Sequence, residues 1–279
     1  MLKTVLLIAC GAYALIGAAM YFGQRKLMYH PDPTHTDPSA EGLNNVSERV
    51  IQSPDGERVI AWYGKAEPGQ PTLLYFHGNA GSLASRSERI AKYLARGRGM
   101  FMMTYRGFAG SSGAPSEAAN VADAKRAYDA LLKEGVKPDD IIIYGESIGS
   151  GVAVQVAAEK KSAGLILDAP YTAMVELASG QYPWLPVRLL LQDRYESRRY
   201  IASIKCPLLI IHGERDEIIP VAMGRAMFAL AAEPKSIVTF PEAGHADHYM
   251  FGSYDAINAW IDKVRAGQAG TSKQAPTAK

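Results

Sequence analysis

Hydrophobic positions divide the chain into one long apolar run and a series of short ones. The long run covers residues 4–23, and a helix of about 20 apolar residues is long enough to span a bilayer. Lys3 precedes it, and Arg25 and Lys26 follow. The pattern predicts a retained transmembrane anchor over residues 1–23. A cleaved signal segment is the alternative, since Gly17-Ala18-Ala19 offers small residues at a cleavage point. Leu7-Ile8-Ala9-Cys10 has the look of a lipid-acylation site, but the apolar stretch before Cys10 is too short for one and continues well past it. The flanking positive charges nearly balance, so they set no orientation.

Beyond the anchor, Gln24–Asn45 carries prolines at 31, 33 and 38 and reads as an irregular surface lead-in. Two strand-type runs follow, Val46–Ile51 and Val59–Tyr63, with the hairpin signal Asp55-Gly56 between them. Thr72–Phe76, Met100–Thr104, Ile141–Tyr144, Gly164–Leu167, Pro207–Ile211 and Ile237–Phe240 are further apolar runs of strand length. Helical patterns lie between them. One runs from about Ser116 to Glu134, with Ser116 placed to cap its start and Gly135 beyond its end. Strands alternating with helices predict an α/β fold: a mainly parallel central sheet with helices on both faces and an antiparallel pair at its N-terminal edge. Ligands of such sheets bind outside the carboxyl ends of the strands.

Between Asp168 and Cys206 the alternation breaks. Five aromatic residues, Tyr171, Tyr182, Trp184, Tyr195 and Tyr200, lie there with Pro183, Pro186 and the apolar patch Val187–Leu191. This stretch predicts a small cap over about residues 171–205, the alternative being an ordinary connecting helix packed on the sheet edge. The α/β domain then covers residues 24–265, and the small and polar residues of 266–279 predict a disordered tail.

Composition narrows the classes of function. The chain has 279 residues, enough for one α/β domain with a large core, and its 48% hydrophobic and 21% charged residues describe a globular protein with an apolar excess. A net charge of +2 without a basic stripe argues against a nucleic-acid partner. Cys10 and Cys206 are badly placed to pair, and no Cys/His spacing suggests a metal. No motif asks for a cofactor, and nothing in the chain fixes an oligomeric state.

The chemistry gathers at strand ends. Ile141–Tyr144 runs into Gly145-Glu146-Ser147-Ile148-Gly149, and a helical pattern begins at once through Val152, Val154 and Val156. A serine on such a sharp strand-to-helix turn projects its oxygen from the top of the sheet. Serine is a poor nucleophile until a base takes its proton, and the usual base is a histidine oriented by a carboxylate. Pro207–Ile211 leads to Asp216, and Ile237–Phe240 leads to Gly244-His245, so Asp216 is the candidate acid and His245 the candidate base. His248 is the runner-up base, and Glu214 and Glu217 are the neighbouring carboxylates. His77 and His212 close strands and are expected to support backbone there. An oxyanion site needs two amide donors. Ile148 follows the serine, and Asn79 lies in His77-Gly78-Asn79-Ala80-Gly81 after Thr72–Phe76. That loop lacks the lysine-serine ending of a phosphate-binding loop. Tyr171 and Trp184 are the candidate substrate-binding residues of the cap, and the leucine-rich segment around them favours an apolar acyl group.

These motifs, together with Tyr105-Arg106-Gly107, Gly110-Ser111 and His212-Gly213, resemble the α/β-hydrolase superfamily. The chain resembles bacterial membrane-anchored serine hydrolases and the α/β-hydrolase-domain proteins that include protein depalmitoylases and chains labelled as peptidases. Gln24-Arg25-Lys26-Leu27 with Pro31 is similar to those proteins too. The resemblance covers about residues 24–265. It implies Ser147 as nucleophile, Asp216 as acid and His245 as base, and hydrolysis of an ester, thioester or amide. The chain departs from the depalmitoylase-like members in its N-terminus, which carries an apolar span and one cysteine instead of a cysteine cluster. The expectation is a membrane-tethered esterase or thioesterase acting on a small-molecule or lipid-like acyl substrate. A peptidase of the same fold is the alternative, and a non-catalytic membrane-bound binding module is the alternative of another class.

Overall fold

The computed structural model describes residues 1–272 of the chain. It opens with one helix, α1, over Leu2–Met28. The helix runs past Gly23, so Gln24–Met28 is helical where an irregular lead-in was expected. Arg25 and Lys26 occupy its last turn, where cations meet the negative end of the helix dipole. No proline interrupts the chain until Pro31.

Eight strands form the central sheet: β1 (Val46–Gln52), β2 (Arg58–Gly64), β3 (Thr72–Phe76), β4 (Gly99–Met103), β5 (Ile141–Glu146), β6 (Gly164–Asp168), β7 (Leu208–Gly213) and β8 (Lys235–Phe240). Their order across the sheet is β8-β7-β6-β5-β3-β4-β2-β1. β1 and β2 form the expected antiparallel hairpin, with Ile51 opposite Val59 and Gly56 at φ 88° in the turn. β2 also runs antiparallel to β4, and the other neighbours are parallel. The chain reverses its direction of travel across the sheet between β3 and β5. A crevice opens at the carboxyl ends of strands at such a point.

Alternate residues of each strand feed opposite layers. Leu74, Phe76, Ile141 and Ile143 pack with Val152 and Val156 of α4 (Ile148–Glu159) and with Ala124 and Leu131 of α3 (Glu117–Lys133). Leu73, Tyr75, Ile142 and Tyr144 pack on the other face with Ile90 and Tyr93 of α2 (Ser87–Leu94), and with Ile257 and Trp260 of the C-terminal helix. Each such buried aliphatic side chain contributes roughly 1.5–3 kcal/mol relative to exposure. α3 starts as the sequence predicts, with the Ser116 hydroxyl accepting from the Ala119 amide at 3.2 Å.

Between β6 and β7 stand two short helices, α5 (Met174–Gln181) and α6 (Val187–Leu190), followed by 3₁₀ turns. Ala173, Val175, Leu185 and Val187 make a small apolar cluster of their own, against which Met20 of α1 packs. α7 (Val221–Leu230) links β7 to β8, and α8 (Ser253–Ser272) closes the domain. α8 continues past Ala266, where the disordered tail was expected to start. Residues 273–279 of that expected tail lie outside the described residues.

Candidate active site

β5 is flanked by β3 and β6, and Ser147 follows it at the centre of the sheet. Ser147 has φ 52° and ψ −121°, a left-handed conformation that costs a non-glycine residue about 1–3 kcal/mol. Its surroundings hold it there. The Ser147 amide donates to the Asp168 carbonyl at 2.8 Å, and the Ser147 carbonyl accepts from the Ser150 amide at 2.9 Å. α4 crosses so close to β3 that a Cβ at Gly149 would run into the carbonyl oxygens of Phe76 and His77. α4 begins at Ile148, whose amide is one of the first-turn donors that no earlier carbonyl of the helix can satisfy.

Ser147, His245 and Asp216 meet, although they come from three separate strand ends. Ser147 Oγ lies 3.0 Å from His245 Nε2, and His245 Nδ1 lies 2.7 Å from Asp216 Oδ2. A carboxylate only accepts, so Nδ1 carries the proton and Nε2 is free to accept from the serine hydroxyl. Asp216 is itself fixed. Its Oδ1 accepts from the amides of Ile218 (2.9 Å) and Ile219 (2.8 Å), and Oδ2 stands 3.3 Å from His212 Nε2. Burial alone would raise the pKa of Asp216, but the hydrogen bonds from His212, His245 and the Ile219 amide more than offset it and hold the group far below the usual carboxylate range. For His245, burial disfavours the charged ring. The hydrogen bond and charge of Asp216, with the charges of Asp168 and Glu146, prevail and raise its pKa above 6.5.

Three further histidines, His248, His77 and His212, are committed elsewhere. His248 Nε2 lies 2.8 Å from Asp168 Oδ1 and its Nδ1 2.9 Å from Ser253 Oγ, so the runner-up base faces Asp168 and not Ser147. His77 is fully buried with Nδ1 donating to the Gly78 carbonyl at 2.6 Å, and burial, helped by the Arg86 charge, pushes its pKa down to about 3. His212 donates from Nε2 to the Ile219 carbonyl at 2.8 Å and so braces the Asp216 loop. Both His77 and His212 therefore support backbone at strand ends, as expected, and the fold of the loop after β7 adds the approach of His212 to Asp216.

Asn79 sits beside Ser147 on the loop after β3, tied to the end of α1. Its side-chain Nδ2 donates to the Met28 carbonyl at 3.2 Å, and its own carbonyl accepts from the His30 amide at 2.8 Å. Tyr105 supports the same loop by donating to the His77 carbonyl at 2.8 Å. Arg106, from the glycine-rich loop after β4, is used to brace the fold, pairing with Asp123 (2.8 Å) and Asp55 (2.6 Å).

An apolar cavity of about 200 Å³ opens over Ser147, Ile148 and Asn79. Met174, Leu177, Leu185 and Leu190 of the β6–β7 segment line it, and so do Met20, Gln24, Leu27 and Met28 of α1. Neither Tyr171 nor Trp184 does. Tyr171 is 0% exposed and lies beneath the serine turn, donating to the Ile148 carbonyl at 3.2 Å, so it supports α4 from below. Trp184 is 53% exposed and lies against α1 through its carbonyl, which accepts from Tyr13 at 2.8 Å. Aromatic residues in a proline-broken stretch carry no period that tells inward from outward, so the sequence could not sort these two. The α1 residues were missed for a related reason: an apolar run that reads as a membrane span hides any second face.

Glu146 turns away from the cavity. Its Oε2 accepts from the Tyr75 hydroxyl at 2.5 Å and from Arg89 at 2.9 Å. Burial would raise its pKa, but the Arg89 and Arg86 charges bring it down to about 2. Among the described residues, no cluster of His, Cys, Asp and Glu is placed to hold a metal ion.

A serine on a sharp strand-to-helix turn at the sheet's switch point, with a carboxylate and an imidazole arriving from two later strand ends, points to the class. The chain belongs to the α/β-hydrolase superfamily, and residues 71–200 match the family model described as alpha/beta hydrolase fold. It is 36% identical over 266 residues to an uncharacterized protein of Mycobacterium tuberculosis, covering 93% of each chain. It is 31% identical over 250 residues to alpha/beta hydrolase domain-containing protein 17B of Homo sapiens, covering 80% of this chain and 84% of that one. An esterase of Pyrococcus furiosus superposes with a TM-score of 0.68 at 18% identity, covering 85% of this chain and 97% of that one, a likeness of fold. Fold and relatives agree on a protein of the hydrolase class.

Proposed function

We propose that this protein is a serine hydrolase that cleaves carboxyl esters or thioesters of apolar acyl groups. The observation that carries the proposal is the continuous hydrogen-bonded path from Ser147 Oγ through the His245 ring to Asp216, at 3.0 and 2.7 Å. Ser147 Oγ attacks the acyl carbon as its proton passes to His245 Nε2. Charge on the carbonyl oxygen is met by the amides of Ile148 and Asn79 and by the positive end of α4. The imidazolium then protonates the departing alkoxide or thiolate, leaving an acyl-enzyme. Water, deprotonated by His245, attacks the same carbon, the acid leaves, and Ser147 regains its proton. Asp216, held ionised, stabilises the imidazolium in both steps.

Residues 24–265 act as the hydrolase unit, residues 171–205 as its cap, and the apolar helix as a single-pass membrane anchor. The apolar lining of the cavity over Ser147 supports an aliphatic acyl group, and Glu146, a neighbouring carboxylate that could have captured a peptide amine, is paired with Arg89. The test compares ester, thioester and amide substrates with a matched acyl group. Ester and thioester hydrolysis should exceed amide hydrolysis, and Ser147→Ala should abolish all three. Preferential amide cleavage sinks the esterase reading, and residual ester turnover at wild-type rate in Ser147→Ala sinks the assignment of the nucleophile.

A further inference from the structure

Met20, Gln24, Leu27 and Met28 of α1 line the cavity over Ser147, and their spacing of four, three and one residues puts them on one face of the helix. Met20 lies inside the apolar run of residues 4–23. This face is fastened to the cap. Gln24 Nε2 donates to the Leu190 carbonyl at 3.1 Å, and its Oε1 accepts from the Gln192 amide at 2.8 Å. Arg25 grips Asp193 through two hydrogen bonds of 3.0 and 3.1 Å. The Tyr13 hydroxyl donates to the Trp184 carbonyl at 2.8 Å. At the helical rise, Tyr13 stands about 16 Å before Gln24, so the cap follows α1 well into its apolar run. Leu189 of the cap is 84% exposed.

We propose that the last turns of α1 form one wall of the acyl site, and that the acyl chain it takes is a single aliphatic chain resident in the bilayer, which reaches Ser147 along α1 and not through water. This rests on the reading of Ser147 as an ester-cleaving nucleophile and of α1 as a membrane anchor. A cavity of about 200 Å³ is smaller than the ~300–1,000 Å³ of drug-sized ligand sites, which suits one slim chain. Its α1 wall is aliphatic apart from Gln24, whose amide is already engaged by Leu190 and Gln192. A chain passing from lipid into such a slot keeps its methylenes out of water throughout. The substrate class is therefore an ester or thioester of a membrane-embedded acyl chain.

The test uses the full-length protein in phosphatidylcholine vesicles with p-nitrophenyl esters of increasing acyl length. Met20→Trp narrows the cavity at its membrane side and should lower the ratio of long-chain to short-chain kcat/KM by about tenfold or more. Leu27→Ala widens it and should move the preferred length upward. Phe22→Leu, on the outward side of α1 at 83% exposed, should leave the ratio at the wild-type value. Fluorophosphonate labelling of Ser147 reports whether each variant has a formed site; if Met20→Trp fails to label, Leu27→Ala decides. Wild-type protein that does not label overturns the serine-hydrolase reading itself. Wild type and variants that label normally but share one chain-length profile overturn the α1 wall alone. A long-chain ester in the same vesicles as the protein should be cleaved at least about tenfold faster than one in separate vesicles, and equal rates overturn the membrane route.

Discussion

His245 bridges a carboxylate that favours its charged form and a hydroxyl that needs its neutral form. Burial lowers its pKa, and the Asp216 hydrogen bond and charge more than reverse that, so the ring titrates above 6.5. The base works only when neutral. Activity should therefore rise with pH, with the midpoint of the acid limb of kcat/KM above 6.5. Asp216→Asn removes the charge and disturbs the tautomer. It should move that limb to lower pH and cut kcat by on the order of 10⁴-fold. A pH–rate profile of both proteins checks this, and a limb that Asp216→Asn leaves in place means that another group is the base. The meeting of Ser147, Asp216 and His245 was legible in the sequence because each follows closely on an apolar strand run, in the chain order of the α/β-hydrolase fold. Tyr171 and Trp184 were not, since only the packing of the cap turns one beneath α4 and the other outward.

At the scale of elements, strand positions were legible because buried strands read as short apolar runs, and the ends fall within a few residues of expectation. The end of α1 was not. Hydropathy stops at Gly23, but the helix goes on through partners that no local pattern encodes: Gln24 on α6, Arg25 on Asp193, and Tyr29 packed with Asp193 (3.2 Å) and Tyr195 (2.9 Å). Asp193 has only 4% of its side chain exposed, against 45% for Arg25. Arg25→Ala would leave that carboxylate buried without its cation. The expected loss is about 1–3 kcal/mol, reduced from a fully buried pair because Arg25 is half in water. Arg25→Lys should recover only part of it, since an ammonium cannot make the two-pronged contact. Thermal unfolding in detergent, with limited proteolysis of residues 171–205, measures both. Unchanged stability and cap protection in Arg25→Ala would show that the clamp is incidental.

For the whole molecule, the sheet's change of direction between β3 and β5 brings together residues far apart in the chain. It sets Asn79 beside Ser147 at one crevice, while β6, β7 and β8 deliver Asp168, Asp216 and His245 in turn. The two sides of the serine turn differ in character. Toward α1 and the cap the lining is aliphatic, whereas toward α2 Glu146 accepts hydrogen bonds from Tyr75 and Arg89 in a polar surrounding. The α/β class and the antiparallel edge follow from run lengths and turn signals, but the strand order and the contribution of α1 to the cavity depend on contacts between distant segments. The most direct measurement is mass spectrometry of the full-length protein after reaction with a fluorophosphonate. One covalent adduct on Ser147, absent in Ser147→Ala and slow to form in His245→Ala, is the expected result. An unmodified Ser147 in the wild-type protein, or an adduct that persists in Ser147→Ala, contradicts the assignment of this chain as a serine hydrolase.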